Sequence, residues 1–203
     1  MRHLRILLLA LGLTATAGLA TGEDGTLVLD NDYAAVHRNA APCAEAGPGC
    51  GDRVVVAFGD VKIAAGRSTV ELEYAEVFVA KAGTSYEIHG NFAEVNLKPD
   101  PPPVEGPAVA IPAGKNERLH DAASYFVFEE RLEPGDTRER HSHAQRVVLV
   151  MGATELQQWP DGADEVFKTQ IPGTIKFNPP VVHVVRNIGD APLRNIVIEL
   201  IPR

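Results

Sequence analysis

The stretch GDTRERHSHAQRVVLVMG, residues 135–152, sets two histidines at the head of an apolar run that closes on glycine. His141 and His143 flank one residue, so in extended backbone both side chains leave the same face and can converge on one point. A third histidine, His183, follows in PPVVHVVRN, residues 179–187. Three imidazoles gathered this way form a candidate metal site. Such ligands suit Zn, Cu, Fe or Ni, with Mn also open, and do not choose among them.

Outward from this stretch, the chain carries no sustained helical period. Short runs rich in Val, Ile, Phe and Tyr alternate with Gly, Pro, Asn and Asp. The pattern predicts strands over 26–29, 33–37, 53–63, 68–72 and 75–81, and a second set over 125–132, 146–157, 165–171, 174–177, 181–186 and 193–200. Many short strands separated by turn signals predict an all-β sandwich or barrel. Between the two sets lies KPDPPPVEGP, residues 98–107, where dense proline removes backbone donors and favours an extended spacer. The expected organisation is a unit over 26–98, a Pro-rich linker over 99–116 and a second unit over 117–203.

The two sets match each other. DRVVVAFG at 52–59 parallels QRVVLVMG at 145–152, and Leu97-Lys98-Pro99 parallels Leu200-Ile201-Pro202. Glu76-Val77-Phe78 parallels Glu165-Val166-Phe167, and Gly83-Thr84 parallels Gly173-Thr174. Their common order indicates one β unit used twice. In this register Cys50 stands where His143 stands and Pro48 where His141 stands, so the first copy lacks the paired histidines. Whether His89 answers to His183 stays open. The strand shared by both copies suggests a contact between them, Val54 and Val56 against Val148 and Val150.

Composition bounds the partners. The 203 residues are 45% hydrophobic with a formal net charge of −8, which supplies no basic face for nucleic acid or an anionic membrane. Residues 1–20 run from a basic start through an apolar segment to small residues, the layout of a secretory signal peptide. The expectation is a periplasmic or secreted protein that does not bind a membrane after cleavage. Cys43 and Cys50 lie in the loop APCAEAGPGCGD and fit a local disulfide in an oxidising space, with metal binding by the pair as the alternative. Closing so short a loop contributes roughly 2–3 kcal/mol.

The C-terminal arrangement resembles the cupin superfamily, small β-barrels that carry a metal on inward-facing histidines. Its first motif is matched by Gly135, His141, His143 and Gly152, and its second by Gly173, Pro179, His183 and Asn187. The resemblance covers residues 122–202, with a decayed version over 27–99. It implies a bicupin: two cupin-like β-barrels, duplicated jelly-roll units, after the signal peptide, the N-terminal one degenerate. The superfamily's glutamate ligand falls on Val147 or Val148, so the resemblance implies a neutral three-histidine set, like that of thiol dioxygenase relatives.

Alternation from His143 puts Gln145 on the ligand face, and alternation from His183 puts Asn187 there. Both are candidates to orient imidazoles or to contact substrate. Arg140 and Arg146 are candidates to bind a carboxylate, although Arg53 shares the register of Arg146 in the copy without histidines. Glu155 is a candidate replacement acid. The expected function is a metal-dependent enzyme on a small molecule, a dioxygenase, lyase or isomerase. The alternatives are a non-catalytic metal- or ligand-binding module and a structural barrel. A homodimer is one assembly open to it.

Overall fold

The computed structural model describes residues 25–112 and 114–202; the signal-peptide segment, residues 1–20, lies outside the described residues. The protein is all-β, with every strand pairing antiparallel and no helix among the described residues. The first unit holds β1 (Thr26–Asp30), β2 (Ala34–Arg38), β3 (Arg53–Ala65), β4 (Ser68–Leu72), β5 (Val77–Ala80) and β6 (Glu87–Leu97). They form one six-stranded sheet in the order β1-β2-β6-β3-β4, with β5 paired to the first half of β3. A register shift between Ala57 and Val61 lets β3 and β6 bend together, so one strand pair serves both halves of the barrel.

The second unit divides the same architecture. β7 (Asn116–Asp121), β8 (Tyr125–Leu132), β10 (Arg146–Val150), β13 (Ile175–Asn178) and β15 (Leu193–Leu200) make one sheet, ordered β13-β10-β15-β8-β7. β9 (Thr137–His143), β11 (Thr154–Pro160), β12 (Val166–Gln170) and β14 (Val181–Asn187) make the other, ordered β12-β11-β14-β9. The single strand expected over 146–157 is therefore two strands. It breaks at Gly152, where an added Cβ would sit 2.9 Å from the carbonyl oxygen of Pro192. Strands β6, β7 and β9 fell outside the expected set: β7 and β9 present no alternating apolar face, and in β6 the alternation of Ala93, Val95 and Leu97 follows a polar, glycine-containing first half, Glu87 to Asn91.

Strand registers prove the duplication and correct its alignment. Arg53 pairs with Ala80 and Asn96, while Arg146 pairs with Asn178 and Glu199. The Leu97 amide donates to the Asp52 carbonyl at 2.9 Å, and the Leu200 amide donates to that of Gln145 at 3.0 Å. These positions match as the sequence indicates. The pairing of Glu76-Val77-Phe78 with residues 165–167 does not hold, because β5 occupies the place of β13. The true counterpart of Gly173 is Ala75. Both have positive φ, 86° and 68°, and their amides donate to Val150 and Ala57 carbonyls. A side chain that tolerates the left-handed region masked the match.

Three cores follow from this arrangement. One lies between the units, where Val54, Val56 and Val95 of the first meet Val127, Val147, Leu149 and Ile198 of the second. The contact thus uses Val147 and Leu149 rather than Val148 and Val150. The chain leaves strand geometry at Ala144 and Gln145, which reverses the alternation counted from His143. Each such side chain contributes about 1.5–3 kcal/mol by burial. Tyr125 Oη also donates across the seam to Asp52 Oδ2 at 3.0 Å, and the Tyr33 and Phe177 rings stack at 5.5 Å. The other two cores fill the barrels. In the first, Val55, Ile63, Phe78, Tyr86 and Phe92 close the interior; in the second, Val148, Leu156, Val185 and Val197 surround a cavity.

The Pro-rich segment is docked on both units. Tyr33 Oη donates to the Pro103 carbonyl at 3.1 Å, and Ala110 bridges to Ser142 on β9. The cysteines form a disulfide, Cys43–Cys50.

Candidate metal centre

The histidine site is built by one strand pair. In the antiparallel register of β9 and β14, His141 and His183 are direct partners, and His143 lies one step along the same face. Their rings sit 4.5 Å apart for His141–His183, 4.9 Å for His141–His143 and 5.5 Å for His143–His183. All three are buried, and one ring nitrogen from each lies within 4.8 Å of the others.

Their hydrogen bonds leave the converging nitrogens free. His141 Nδ1 donates to its near neighbour, the Glu139 carbonyl, at 2.8 Å, and its Nε2 has no partner. His143 Nδ1 lies 2.9 Å from Glu199 Oε2. Neither nitrogen of His183 is hydrogen-bonded, although both are buried. A buried polar atom without a partner costs about 1–3 kcal/mol, so the unpartnered nitrogens of His141 and His183 call for a ligand between the rings. The imidazoles are also held neutral, as metal ligation requires. Burial, helped by His141 and Arg146, pulls the pKa of His183 down to about 3. Burial likewise lowers His141, and it lowers His143 further, with Arg146 adding to the effect. The donor set therefore fits a divalent transition metal.

Val148, not Val147, occupies the interior position where the resemblance expects a glutamate, and it is 4% exposed. A different carboxylate reaches the site from β15. Glu199 is fully buried, accepts the Ala144 amide on Oε1 at 2.6 Å and faces His143 through Oε2. Burial raises its pKa to about 8 against the opposing pull of Arg146 and the Ala144 amide. A cation on His143 would favour the carboxylate. The equivalent residue in the first copy is Asn96, whose Oδ1 accepts the Gly51 amide at 3.0 Å. An amide therefore suffices for the fold, and the carboxylate serves His143.

Replacing Glu199 with glutamine tests this. Glutamine can accept from the Ala144 amide but then turns its NH2 toward His143 Nδ1, favouring the tautomer that protonates Nε2. Metal affinity should fall about 10–100-fold with the fold intact, as read by competitive Zn(II) titration and circular dichroism. Unchanged affinity would remove Glu199 from the site.

The other candidate residues are placed elsewhere. Gln145 leaves the ligand face and accepts the Glu105 amide at 3.0 Å, anchoring the Pro-rich segment. Asn187 is fully buried and saturated: Nδ2 donates to Leu132 and Ala191 carbonyls at 2.9 and 2.8 Å, and Oδ1 accepts from Thr154 at 2.6 Å and Gly189 at 3.0 Å. It ties strand ends together, and nothing remains to orient an imidazole. Arg140 pairs with Asp161 at the surface. Glu155 is exposed and accepts from Thr169. His89 is exposed on β6 and does not reach the first barrel's interior.

Arg146 is buried and lines the cavity next to His143 and His183, which has a volume of about 190 Å³. Arg138 was not anticipated. It sits buried on β9, pairs with Glu130 and donates to Lys115 O and Asn116 Oδ1 at 3.0 Å each. Glu130, another cavity residue, stays ionised: burial raises its pKa, but Arg138, Asn195 and Arg146 together outweigh that.

No protein-family model matches the chain, and no curated protein matches it. Solved structures do match in fold. A cupin 2 conserved barrel domain protein from Leptotrichia buccalis aligns over 87% of this chain and 88% of its own, with 13% identity and a TM-score of 0.55. Oxalate decarboxylase from Lactobacillus farciminis, in a formate complex, aligns over 89% and 85%, with 14% identity and a TM-score of 0.56. A variant of Bacillus subtilis oxalate decarboxylase aligns over 84% and 70%, with 13% identity and a TM-score of 0.57. In fold, this chain is similar to these cupin-barrel and oxalate decarboxylase structures, and among the described residues its three-histidine cluster lies in the C-terminal barrel.

Proposed function

We propose that the C-terminal barrel binds one divalent transition metal through His141, His143 and His183, and that the protein acts on a small molecule in the adjoining cavity. The observation that carries this is the convergence of three buried imidazoles, two of which, His141 and His183, hold buried nitrogens without hydrogen-bond partners. Such an ion supplies Lewis acidity, or dioxygen chemistry if it is iron. Enzymes similar in fold, the oxalate decarboxylases, support an enzymatic reading. The disulfide supports a non-reducing compartment, in keeping with a periplasmic or secreted protein.

A second reading, a non-catalytic binding module, is favoured by one feature. Both buried carboxylates near the site are engaged, Glu130 by Arg138 and Asn195, and Glu199 by His143 and the Ala144 amide. Neither is free to act as a base without losing a partner.

Metal analysis of the protein purified from its native compartment tests the proposal. About one equivalent of one metal per chain is expected, and its absence would overturn both readings. Turnover against a panel of small carboxylates, keto acids and thiols then separates enzyme from module.

A further inference from the structure

We infer that the cavity beside the three histidines binds a small carboxylate that also carries a hydroxyl group. The inference deepens the metal-site reading and rests on it for the position of the ligand, but its recognition residues are distinct from the histidines.

The duplication supplies the control. Arg53 and Arg146 are equivalent and are held alike. Arg53 Nη1 donates to the Gly51 and Lys81 carbonyls at 2.8 Å each, and Arg146 Nη1 to those of Ala144 and Pro179 at 3.1 and 2.9 Å. In the first copy Nη2 is also capped, by the Thr84 carbonyl. In the second copy no described residue accepts from Nη2. Pro179 and Pro180 carry the chain from β13 straight into β14, without the loop that brings Thr84 back. The guanidinium therefore presents an uncapped edge to the cavity it lines.

The same comparison holds at two neighbouring positions. Val148 pairs with Lys176 where Val55 pairs with Phe78, and Val150 pairs with Asn195 where Ala57 pairs with Phe92. Phe78 and Phe92 pack into the first barrel's interior. The fold thus accepts phenylalanine at both places, and the second copy instead sets a lysine and an asparagine there, lining a cavity.

Charge and hydrogen bonding define what would fill it. Arg146, Lys168 and Lys176 line the cavity, and none forms a salt bridge with a described carboxylate. Lys176 Nζ has only Gln170 Oε1, at 3.4 Å. Glu130 does not cancel them, because Arg138 pairs with it. Three unpaired cations around one cavity, in a chain of net charge −8, call for an anion. The hydroxyl is called for by Asn195. Its Nδ2 donates to Glu130 Oε2 at 2.7 Å, which fixes the amide so that Oδ1, buried and without a partner, is left to accept. The cavity of about 190 Å³ has room for roughly six waters, which limits the ligand to a few heavy atoms.

Calorimetric titration of the full chain, metal-loaded and metal-free, with acetate, glycolate and ethylene glycol tests this. Glycolate should bind saturably and about tenfold more tightly than acetate, and ethylene glycol should not bind. Lys176→Gln should weaken both acids about tenfold or more, and Asn195→Ala should erase the advantage of glycolate while sparing acetate. The double variant Lys176→Phe, Asn195→Phe copies the first barrel, so it should fold and bind neither. Equal affinity for acetate and glycolate, no saturable binding, or indifference to Lys176→Gln and Asn195→Ala would overturn the inference. The last outcome would mean that glycolate simply chelates the metal. A protein that takes up no metal yet binds glycolate through these residues would uphold the inference and overturn the metal reading. One that takes up metal but no glycolate would do the reverse.

Discussion

Replacing His183 with leucine is expected to weaken Zn(II) binding by about 10²–10³-fold while leaving the metal-free protein as stable as before, or more so. Apparent binding energies near 10–16 kcal/mol for structural zinc sites with four protein ligands put each ligand at about 3 kcal/mol. The two halves of the prediction have different causes. Both ring nitrogens of His183 are buried without hydrogen bonds, so the imidazole contributes nothing polar to the metal-free fold. Leucine removes that unsatisfied group and fills the space beside Leu156 and Val185. Competitive chelator titration reads the first half and urea unfolding in EDTA the second. A variant that binds Zn(II) normally but loses 2 kcal/mol of stability would make His183 a structural residue.

The second large effect concerns the seam between the units. Leu149 is fully buried in the shared core, opposite the equivalent Val54 and Val56 of the first unit. Leu149→Ala should cost about 2–5 kcal/mol, against a total stability on the order of 5–15 kcal/mol. Denaturant unfolding reads it as a lowered midpoint. Thr169→Ala on exposed β12 should stay within about 0.5 kcal/mol and serves as the control. A loss at Leu149 under 1 kcal/mol would mean that the two barrels are stabilised separately.

The residues that were legible in the sequence are those whose chemistry and spacing carry their meaning locally. Strands β8 and β15 show apolar runs, and β4 alternates Val70 and Leu72 with polar residues; their limits coincide with the expected 125–132, 193–200 and 68–72. The histidine spacing was legible for the same reason. β9 was not legible as a strand, because TRERHSH offers no apolar alternation. It is a strand because β14 pairs with it, and its inner face is polar because it carries the site.

The errors share one origin. Gln145 and the pairing of Val148 and Val150 both came from carrying a period of two through Ala144 and Gln145, where the backbone leaves the strand and the count restarts. Arg146 and Val148 consequently face the cavity, and Val147 and Leu149 the seam. Asn187 keeps its face, but a register shift between His183 and Val185 and four hydrogen bonds take it out of the site. Glu199 could not be linked to His143 from the sequence, since 56 residues separate them and only the β10–β15 register brings β15 under the loop that follows β9.

The sequence by itself determined that the chain is all-β, duplicated, and armed with three histidines in one copy, because strand propensity, repetition and ligand spacing are properties of residues near one another along the chain. Only the tertiary structure decided which carboxylate supports His143, which valines join the barrels and which cations stand unpaired around the cavity. Those depend on the register between strands far apart in sequence, where a shift of one residue turns every side chain to the opposite face.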